Sequence, residues 1–144
     1  MSQASPSTEV GSELPSVRMA MSDARFERWY GPENYGGPPR NLHFDTAAAQ
    51  AEGLPGPVAT GPDISNLIFR SLMEFFGAGW VQGGKASLTI ARPTYAHDFL
   101  VSKGYVKAVE NENGATRLVC DVWVENQDGE KKVVGTASGL VKAS

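Results

Sequence analysis

The stretch GPDISNLIFRSLMEFFG, from Gly61 to Gly77, decides the fold of this chain. Its apolar residues recur at spacings of 3, 1, 4, 3 and 1, which places them on one face of a helix. Proline at the first helical position and an acid in the first turn are favoured, so Pro62 and Asp63 mark its start. Gly77 ends it. The apolar face consists of Ile64, Leu67, Ile68, Leu72, Phe75 and Phe76.

After this helix the apolar residues alternate with a period of two, which indicates β-strands. In the third strand candidate, Leu118, Cys120, Val122 and Val124 form an apolar face, and Arg117, Asp121 and Glu125 form the polar one. The sequences NENG and NQDG suit hairpin turns because Asn, Asp and Gly tolerate positive φ. The four strand candidates are KASLTIARP, DFLVSKGYVKAVE, ATRLVCDVWVEN and KKVVGTASGLV.

Consecutive hairpins form an antiparallel sheet, and the apolar face of such a sheet needs a cover. The helix that begins at Pro62 is the one long apolar helix that the sequence offers for this purpose. The pattern therefore predicts an α+β domain in which an antiparallel sheet wraps around one long central helix.

The elements before the central helix are shorter. Residues 1–13 are polar and predict a flexible tail, so the single domain is expected over 14–144. The stretch Leu14–Ser22 alternates as a first strand does, and Ser22 or Asp23 caps a helix through ARFERWY. Residues 31–40 hold three Gly and three Pro and predict a loop. A short alanine-rich helix follows, capped by Asp45 or Thr46 and ended by Gly53.

Composition and charge exclude several classes of function. The net charge of −3, with no basic stripe, argues against binding to nucleic acid or to an anionic membrane. One cysteine, Cys120, permits neither an internal disulfide nor a multi-cysteine zinc site. Neither an export signal nor an apolar run of about 18 residues is present, so we expect a cytoplasmic protein. His43 and His97 lack carboxylates or cysteines at ligand spacing, so we expect no metal and no cofactor.

Three stretches, in this order and at this spacing, resemble the MaoC-like (R)-specific enoyl-CoA hydratases, which have the hotdog fold. The resemblance covers most of the chain from Met21 to Val141. It implies reversible addition of water to an enoyl thioester, on coenzyme A or an acyl carrier, by a homodimer whose sheets join edge to edge. The three stretches are NLHFDTAAAQAEGLPGPVATG (Asn41–Gly61), RPTYAHDFL (Arg92–Leu100) and VENQDGEKKVVGTASGLV (Val124–Val141).

The resemblance also implies roles for two residues that stand eighteen positions apart, His43 and Gly61. His43 corresponds to the catalytic histidine, and the Gly61 N–H would hold the thioester oxygen. The family places a catalytic Asp five residues before the histidine, where this chain has Pro38. Thr60 stands in place of the family's second histidine, and His97 in place of a glycine.

Three interpretations of this altered motif remain open. In the first, a carboxylate from the 31–40 loop, with Glu33 as the nearest candidate, replaces the missing Asp. In the second, His43 works with Asn41, Tyr35 or Arg40 on a related reaction such as dehydration, isomerisation or thioester hydrolysis. In the third, the protein binds an acyl thioester or supports a partner subunit without catalysis. The candidates for contact with the substrate are Gly61, Arg40, Tyr35 and Thr60.

Overall fold

The computed structural model describes residues 3–31 and 41–141 of the chain. Its helices are α1 (Asp23–Tyr30), α2 (Thr46–Ala51), α3 (Gly61–Phe76) and α4 (Ala78–Gly83). Its strands are β1 (Arg18–Ala20), β2 (Lys85–Ile90), β3 (Phe99–Glu112), β4 (Ala115–Glu125) and β5 (Lys131–Val141).

The five strands form one antiparallel sheet in the order β1-β3-β4-β5-β2. Strands β3, β4 and β5 are joined by the two predicted hairpins, and their turns contain Asn113 and Gly114 at φ 51° and 84° and Gly129 at φ 75°. Strand β2 pairs with β5, so it lies at the edge of the sheet. The predicted sheet around one central helix is confirmed.

The central helix α3 supplies the middle of the hydrophobic core. All six residues of its predicted apolar face are buried, and they pack among the inward residues of β3, β4 and β5. Close approach of helix and sheet depends on Gly139, because a Cβ there would lie 2.6 Å from the Phe76 ring. The apolar face of the helix and the apolar faces of the strands therefore form one core, as the sequence predicts.

Three local features differ from the sequence-based expectations. The first strand is shorter than Leu14–Ser22 and pairs with β3 only over Arg18–Ala20. Helix α4 was not predicted, because its six residues are too few to show a period. Arg117, assigned to the polar face, is buried because its guanidinium donates to the Gly83 carbonyl at 2.9 Å and to Ser138 at 3.0 Å.

The two edges of the sheet are covered differently. Beyond β1, residues 11–14 continue along β3: Gly11 donates to the Val106 carbonyl at 2.7 Å and Leu14 to the Gly104 carbonyl at 3.0 Å. Farther out, the Ala4 N–H reaches the Phe75 carbonyl at 2.8 Å. These hydrogen bonds place residues 4–14 along the edge of the fold. The flexibility expected of residues 1–13 stays a prediction. At the opposite edge, five of the six residues of β2 are exposed.

Within the described ranges, every helix is too short or too polar to cross a lipid bilayer. Cys120 lies in the core as expected, fully buried. Burial, with a smaller contribution from the Asp121 charge, raises the pKa of its thiol to about 12. The thiol is therefore protonated at neutral pH and is no nucleophile.

Candidate active site

His43 lies in the turn before α2, and local hydrogen bonds shape this turn. The Asn41 side-chain oxygen accepts the His43 N–H at 2.9 Å, and the Asn41 carbonyl accepts the Asp45 N–H at 2.9 Å. Asp45 then caps α2 by accepting the Ala48 N–H at 3.0 Å. Asp45 is thus the structural cap predicted from the sequence, and the turn holds His43 at a fixed place in the chain.

The imidazole of His43 is oriented by the segment that leads into the central helix. Its Nδ1 lies 2.8 Å from the Val58 carbonyl oxygen. Because a carbonyl can only accept, Nδ1 carries the proton and donates, and the lone pair of the neutral ring is on Nε2. The Val58 N–H returns a bond to the Leu42 carbonyl at 3.1 Å. The bond to Nδ1 leaves Nε2 as the ring nitrogen that can accept a proton, and the backbone bond fixes the two segments relative to each other.

Gly61 is the first residue of the central helix, three positions after Val58. Thr60 precedes the helix in an extended conformation, and its side chain makes no capping hydrogen bond. The Gly61 N–H is one of the helix's unpaired donors, with no acceptor among residues 3–31 and 41–141. A Cβ at Gly61 would lie 3.4 Å from the Ile90 side chain, so the edge strand β2 borders this position.

A cluster of the buried Tyr30 and the half-buried Asp63 and Arg25 lies at the same helix start. The Tyr30 hydroxyl donates to Asp63 Oδ2 at 2.5 Å and accepts the Thr60 N–H at 3.2 Å. Arg25 Nη2 pairs with Asp63 Oδ1 at 2.6 Å. Burial, and next the hydrogen bond and charge of Asp63, raise the pKa of Tyr30 well above its ordinary value. The hydroxyl is therefore a donor throughout the physiological range.

Tyr30 also contacts the His43 turn. The ring centroids of Tyr30 and His43 are 5.5 Å apart, and the Asn41 side-chain N–H₂ donates to the Tyr30 carbonyl at 3.3 Å. No sequence pattern predicts the Tyr30–Asp63 pair, because the two residues stand 33 positions apart and lie on different helices. Tertiary folding brings them together beside the predicted histidine.

Four predicted site residues thus lie on two segments beside Tyr30: Asn41 and His43 in the turn before α2, and Thr60 and Gly61 at the start of α3. The other predicted residues, Glu33, Tyr35 and Arg40, and the substituted position Pro38, lie outside the described residues. His97 is exposed on the 91–98 loop, where its ring stacks on Tyr95 at a centroid distance of 6.1 Å.

Two sizeable cavities border the described part of the fold. One, of about 450 Å³, is lined by Asp23, residues 55–57 and residues 95–97. The other, of about 600 Å³, is largely apolar and runs between the β1 region and the central helix, past Met19, Phe69 and Met73. Neither cavity has His43 or Gly61 among its described lining residues. The described part of one chain therefore leaves these two groups outside its larger cavities.

No protein-family profile and no curated protein matches the sequence. Solved structures do match the fold over almost the whole chain. A MaoC-like dehydratase from Rhodospirillum rubrum superposes with a TM-score of 0.74 at 23% identity, over 95% of this chain and 94% of that one. The ChsH1-ChsH2 complex from Mycobacterium tuberculosis gives 0.71 at 19% identity, over 94% and 99%.

The (R)-hydratase from A. caviae involved in PHA biosynthesis gives a TM-score of 0.70 at 19% identity, over 96% of this chain and 100% of that one. These matches confirm the hotdog fold that the sequence predicts, as found in MaoC-like dehydratases and (R)-hydratases. Several of the structural neighbours are described as hydratases or dehydratases.

Proposed function

We propose that this protein is a MaoC-like hydratase or dehydratase that interconverts an enoyl thioester and its 3-hydroxyacyl form. One observation carries the proposal: the bond from His43 Nδ1 to the Val58 carbonyl makes Nε2 basic, beside the turn that presents the unpaired Gly61 N–H. The fold shared with hydratases and dehydratases supports the reaction class.

His43 serves as the general base in this proposal. Nε2 takes a proton from water while the water oxygen forms a bond to C3 and the π electrons move toward the thioester carbonyl. The imidazolium then returns a proton to C2, which restores the neutral ring and the C=O bond. One proton is removed from water and one proton is added at C2. A single imidazole can therefore carry out both transfers without a second acid at position 38.

The Gly61 N–H stabilises the negative charge that develops on the thioester oxygen. It lies at the positive end of the 16-residue helix α3, where unpaired donors and the helix dipole favour an anion. Pro62 has no N–H, so Gly61 supplies the donor at this point of the turn. A fixed donor of this kind contributes most where charge appears only in the transition state.

The remaining predicted residues have supporting roles in the proposal. Asn41 positions the His43 backbone through its side-chain oxygen, and Thr60 borders the thioester oxygen beside Gly61. Glu33 is the candidate for a second proton-transfer group, and Tyr35 and Arg40 are candidates for contact with the substrate or its carrier. The reaction adds or removes water without oxidation, so we expect it to need no cofactor. We also propose that it takes place in the cytoplasm.

We further propose that the protein acts as a homodimer whose sheets join through β2. This strand has six residues and one unpaired edge, and an open edge favours pairing with another strand. Ile90, at its end, is 49% exposed and borders Gly61. A second chain on this edge would complete a pocket around His43 and Gly61. Assembly is known for the neighbours described as the ChsH1-ChsH2 and HadBC complexes.

The proposal is tested by hydration of crotonyl-CoA, followed as the loss of enoyl absorbance, and by longer and aromatic enoyl thioesters. We expect turnover by the wild type and a fall of about 100-fold or more in His43→Ala, the range for loss of a general base. His97→Ala is the matched control, because it removes the other histidine from an exposed loop and should retain activity.

Two results would contradict the proposed function. One is absence of hydration and dehydration with every thioester tested while the protein is folded and dimeric. The other is release of free thiol, detected with a thiol reagent, at a rate that accounts for the whole loss of substrate. The second result would assign a thioesterase, and binding without turnover would assign a non-catalytic acyl-thioester protein.

A further inference from the structure

We infer that Tyr30 and Asp63 are positioning residues that hold the basic imidazole and the Gly61 N–H in one geometry. The inference rests on the proposed function, and it concerns side chains that the motif does not contain. It arises from a set of contacts that joins Tyr30, the last residue of α1, to the His43 turn and to the start of the central helix.

Tyr30 makes contact in two directions. Toward the central helix, its hydroxyl accepts the Thr60 N–H at 3.2 Å and donates to Asp63 at 2.5 Å. These two bonds bracket Gly61 on either side, at the residue before the helix and in its first turn. Toward the histidine, the Tyr30 ring lies 5.5 Å from the imidazole between centroids. The orientation of the Gly61 N–H is therefore coupled to the place of His43 through one side chain.

Asn41 strengthens the same coupling. Its side-chain nitrogen donates to the Tyr30 carbonyl at 3.3 Å, while its side-chain oxygen accepts the His43 N–H at 2.9 Å. The backbone of Tyr30 and the backbone of His43 are thus joined through one amide. A displacement of Tyr30 would move the histidine turn and the helix start together.

The arrangement of Asp63 indicates positioning and not proton transfer. One of its oxygens accepts from Tyr30 and the other pairs with Arg25 at 2.6 Å. Its side chain is only 13% exposed and that of Arg25 is 21% exposed, so water competes little with either bond. Because both oxygens of Asp63 already have partners, the carboxylate is held in one orientation and is a rigid anchor for the tyrosine hydroxyl.

The chain contains a second tyrosine–carboxylate pair that serves as an internal control. On the exposed side of the sheet, the Tyr105 hydroxyl donates to Asp121 at 3.0 Å, and Lys107 pairs with the same carboxylate at 3.1 Å. The chemistry matches that of Tyr30, Asp63 and Arg25, but within residues 3–31 and 41–141 no side-chain hydrogen bond or ring contact joins Tyr105 to the histidine turn. The two pairs differ in location and in burial.

The decisive experiment compares Tyr30→Phe with Tyr105→Phe in the full-length protein. Tyr30→Phe keeps the ring and removes the hydroxyl, and we expect kcat for enoyl-CoA hydration to fall about 10- to 100-fold with KM changed less than about threefold, since misplacement of reacting groups by about 1 Å can cost 100-fold. Tyr105→Phe should leave both constants at the wild-type values. Equal kcat values in the two variants at the assay temperature would overturn the inference.

A second measurement is independent of activity. In ¹H–¹⁵N spectra, Tyr30→Phe should speed amide hydrogen exchange at Thr60, which loses its acceptor, and shift the Gly61 amide and the His43 ring signals. Tyr105→Phe should change none of these signals. Spectra in which Thr60, Gly61 and His43 match the wild type would refute the positioning role, whether or not any thioester is turned over. Failure of this inference can therefore be told apart from failure of the proposed function.

Asp63→Asn covers the case in which Tyr30→Phe does not fold. It keeps the side-chain shape and removes the charge that anchors the hydroxyl and Arg25. We expect Asp63→Asn by itself to lower kcat about 10- to 100-fold with KM changed less than about threefold, because it frees the hydroxyl that positions the site. A folded Asp63→Asn variant with the wild-type kcat would overturn the inference.

Discussion

At the residue scale, the loop 91–98 depends on one buried ionic network. Asp98 accepts the Tyr95 N–H at 2.8 Å and the Asn126 side chain at 3.0 Å, and lies 3.5 Å from Lys132. Lys132 is 1% exposed, and it also donates to the Pro93 carbonyl at 2.8 Å and pairs with Glu130. The same loop accepts the Ala59 N–H at the Thr94 carbonyl, 2.9 Å away. The network therefore supports the segment that carries Val58 and Gly61.

This network predicts a loss of stability in acid. Burial alone would raise the pKa of Asp98, but the Tyr95 N–H, Asn126 and Lys132 together lower it below its ordinary value. A carboxyl whose pKa is lower in the folded state stabilises the fold above the unfolded pKa of about 4. That contribution is lost as the pH falls through the folded pKa.

Urea unfolding of the wild type and of Asp98→Asn between pH 7 and pH 3 measures the effect. We expect Asp98→Asn to lower the free energy of unfolding by about 2 kcal/mol at pH 7, the scale for a hydrogen bond to a charged group. The difference between the two proteins should shrink below about pH 4. A difference that stays constant down to pH 3 would contradict this account.

At the scale of the element, the start of the central helix is predicted to be the thioester-oxygen site. Gly61→Pro tests this because proline is compatible with the first turn of a helix but removes the N–H. Thr60, with φ −73° and ψ 153°, already has the backbone that a residue before proline adopts. The helix should therefore form in the variant.

We expect Gly61→Pro to lower kcat about 100- to 1,000-fold, the cost of one lost oxyanion donor. Gly61→Ala keeps the N–H, and its Cβ would lie at van der Waals distance, 3.4 Å, from Ile90, so it should lose far less activity. Steady-state kinetics with crotonyl-CoA, alongside circular dichroism, compare the two. Equal losses in both variants would show that side-chain volume at this position matters, and not the N–H.

At the scale of the whole molecule, the proposed dimer depends on the exposed edge of β2. Ser87 and Thr89 are exposed on this strand. A two-fold axis through the edge and perpendicular to the strand would bring them near Ser87 and Thr89 of the second copy. Like charges placed opposite each other across strands are destabilising. The double substitution Ser87→Lys with Thr89→Lys should therefore favour the monomer.

Sedimentation velocity distinguishes the outcomes. We expect the wild type to sediment with the mass of two chains and the double lysine variant with the mass of one. Ala20→Lys is the control, because it adds a charge to the exposed end of β1 on the opposite edge. A wild type that is monomeric at micromolar concentration, or a variant that remains dimeric, would refute an interface through β2.

The sequence by itself determined most of the elements, the core and two residues of the candidate site. The apolar face from Ile64 to Phe76 and the alternation in β4 are periodic patterns within one element. Such a pattern can be recognised from the sequence alone, because it does not depend on which surface the element packs against. His43 and Gly61 were found because the spacing of a known motif is also a property of the sequence.

Only the tertiary structure decided which distant groups meet. Arg117 is buried because the last residue of α4, Gly83, reaches its guanidinium. Tyr30, Asp63 and Arg25 meet because α1 lies beside the start of the central helix. Such contacts depend on how helices are placed over the sheet, and no pattern within either helix encodes its partner. The candidate base and the start of the central helix were therefore readable from the sequence, whereas the distant side chains that lie beside them were not.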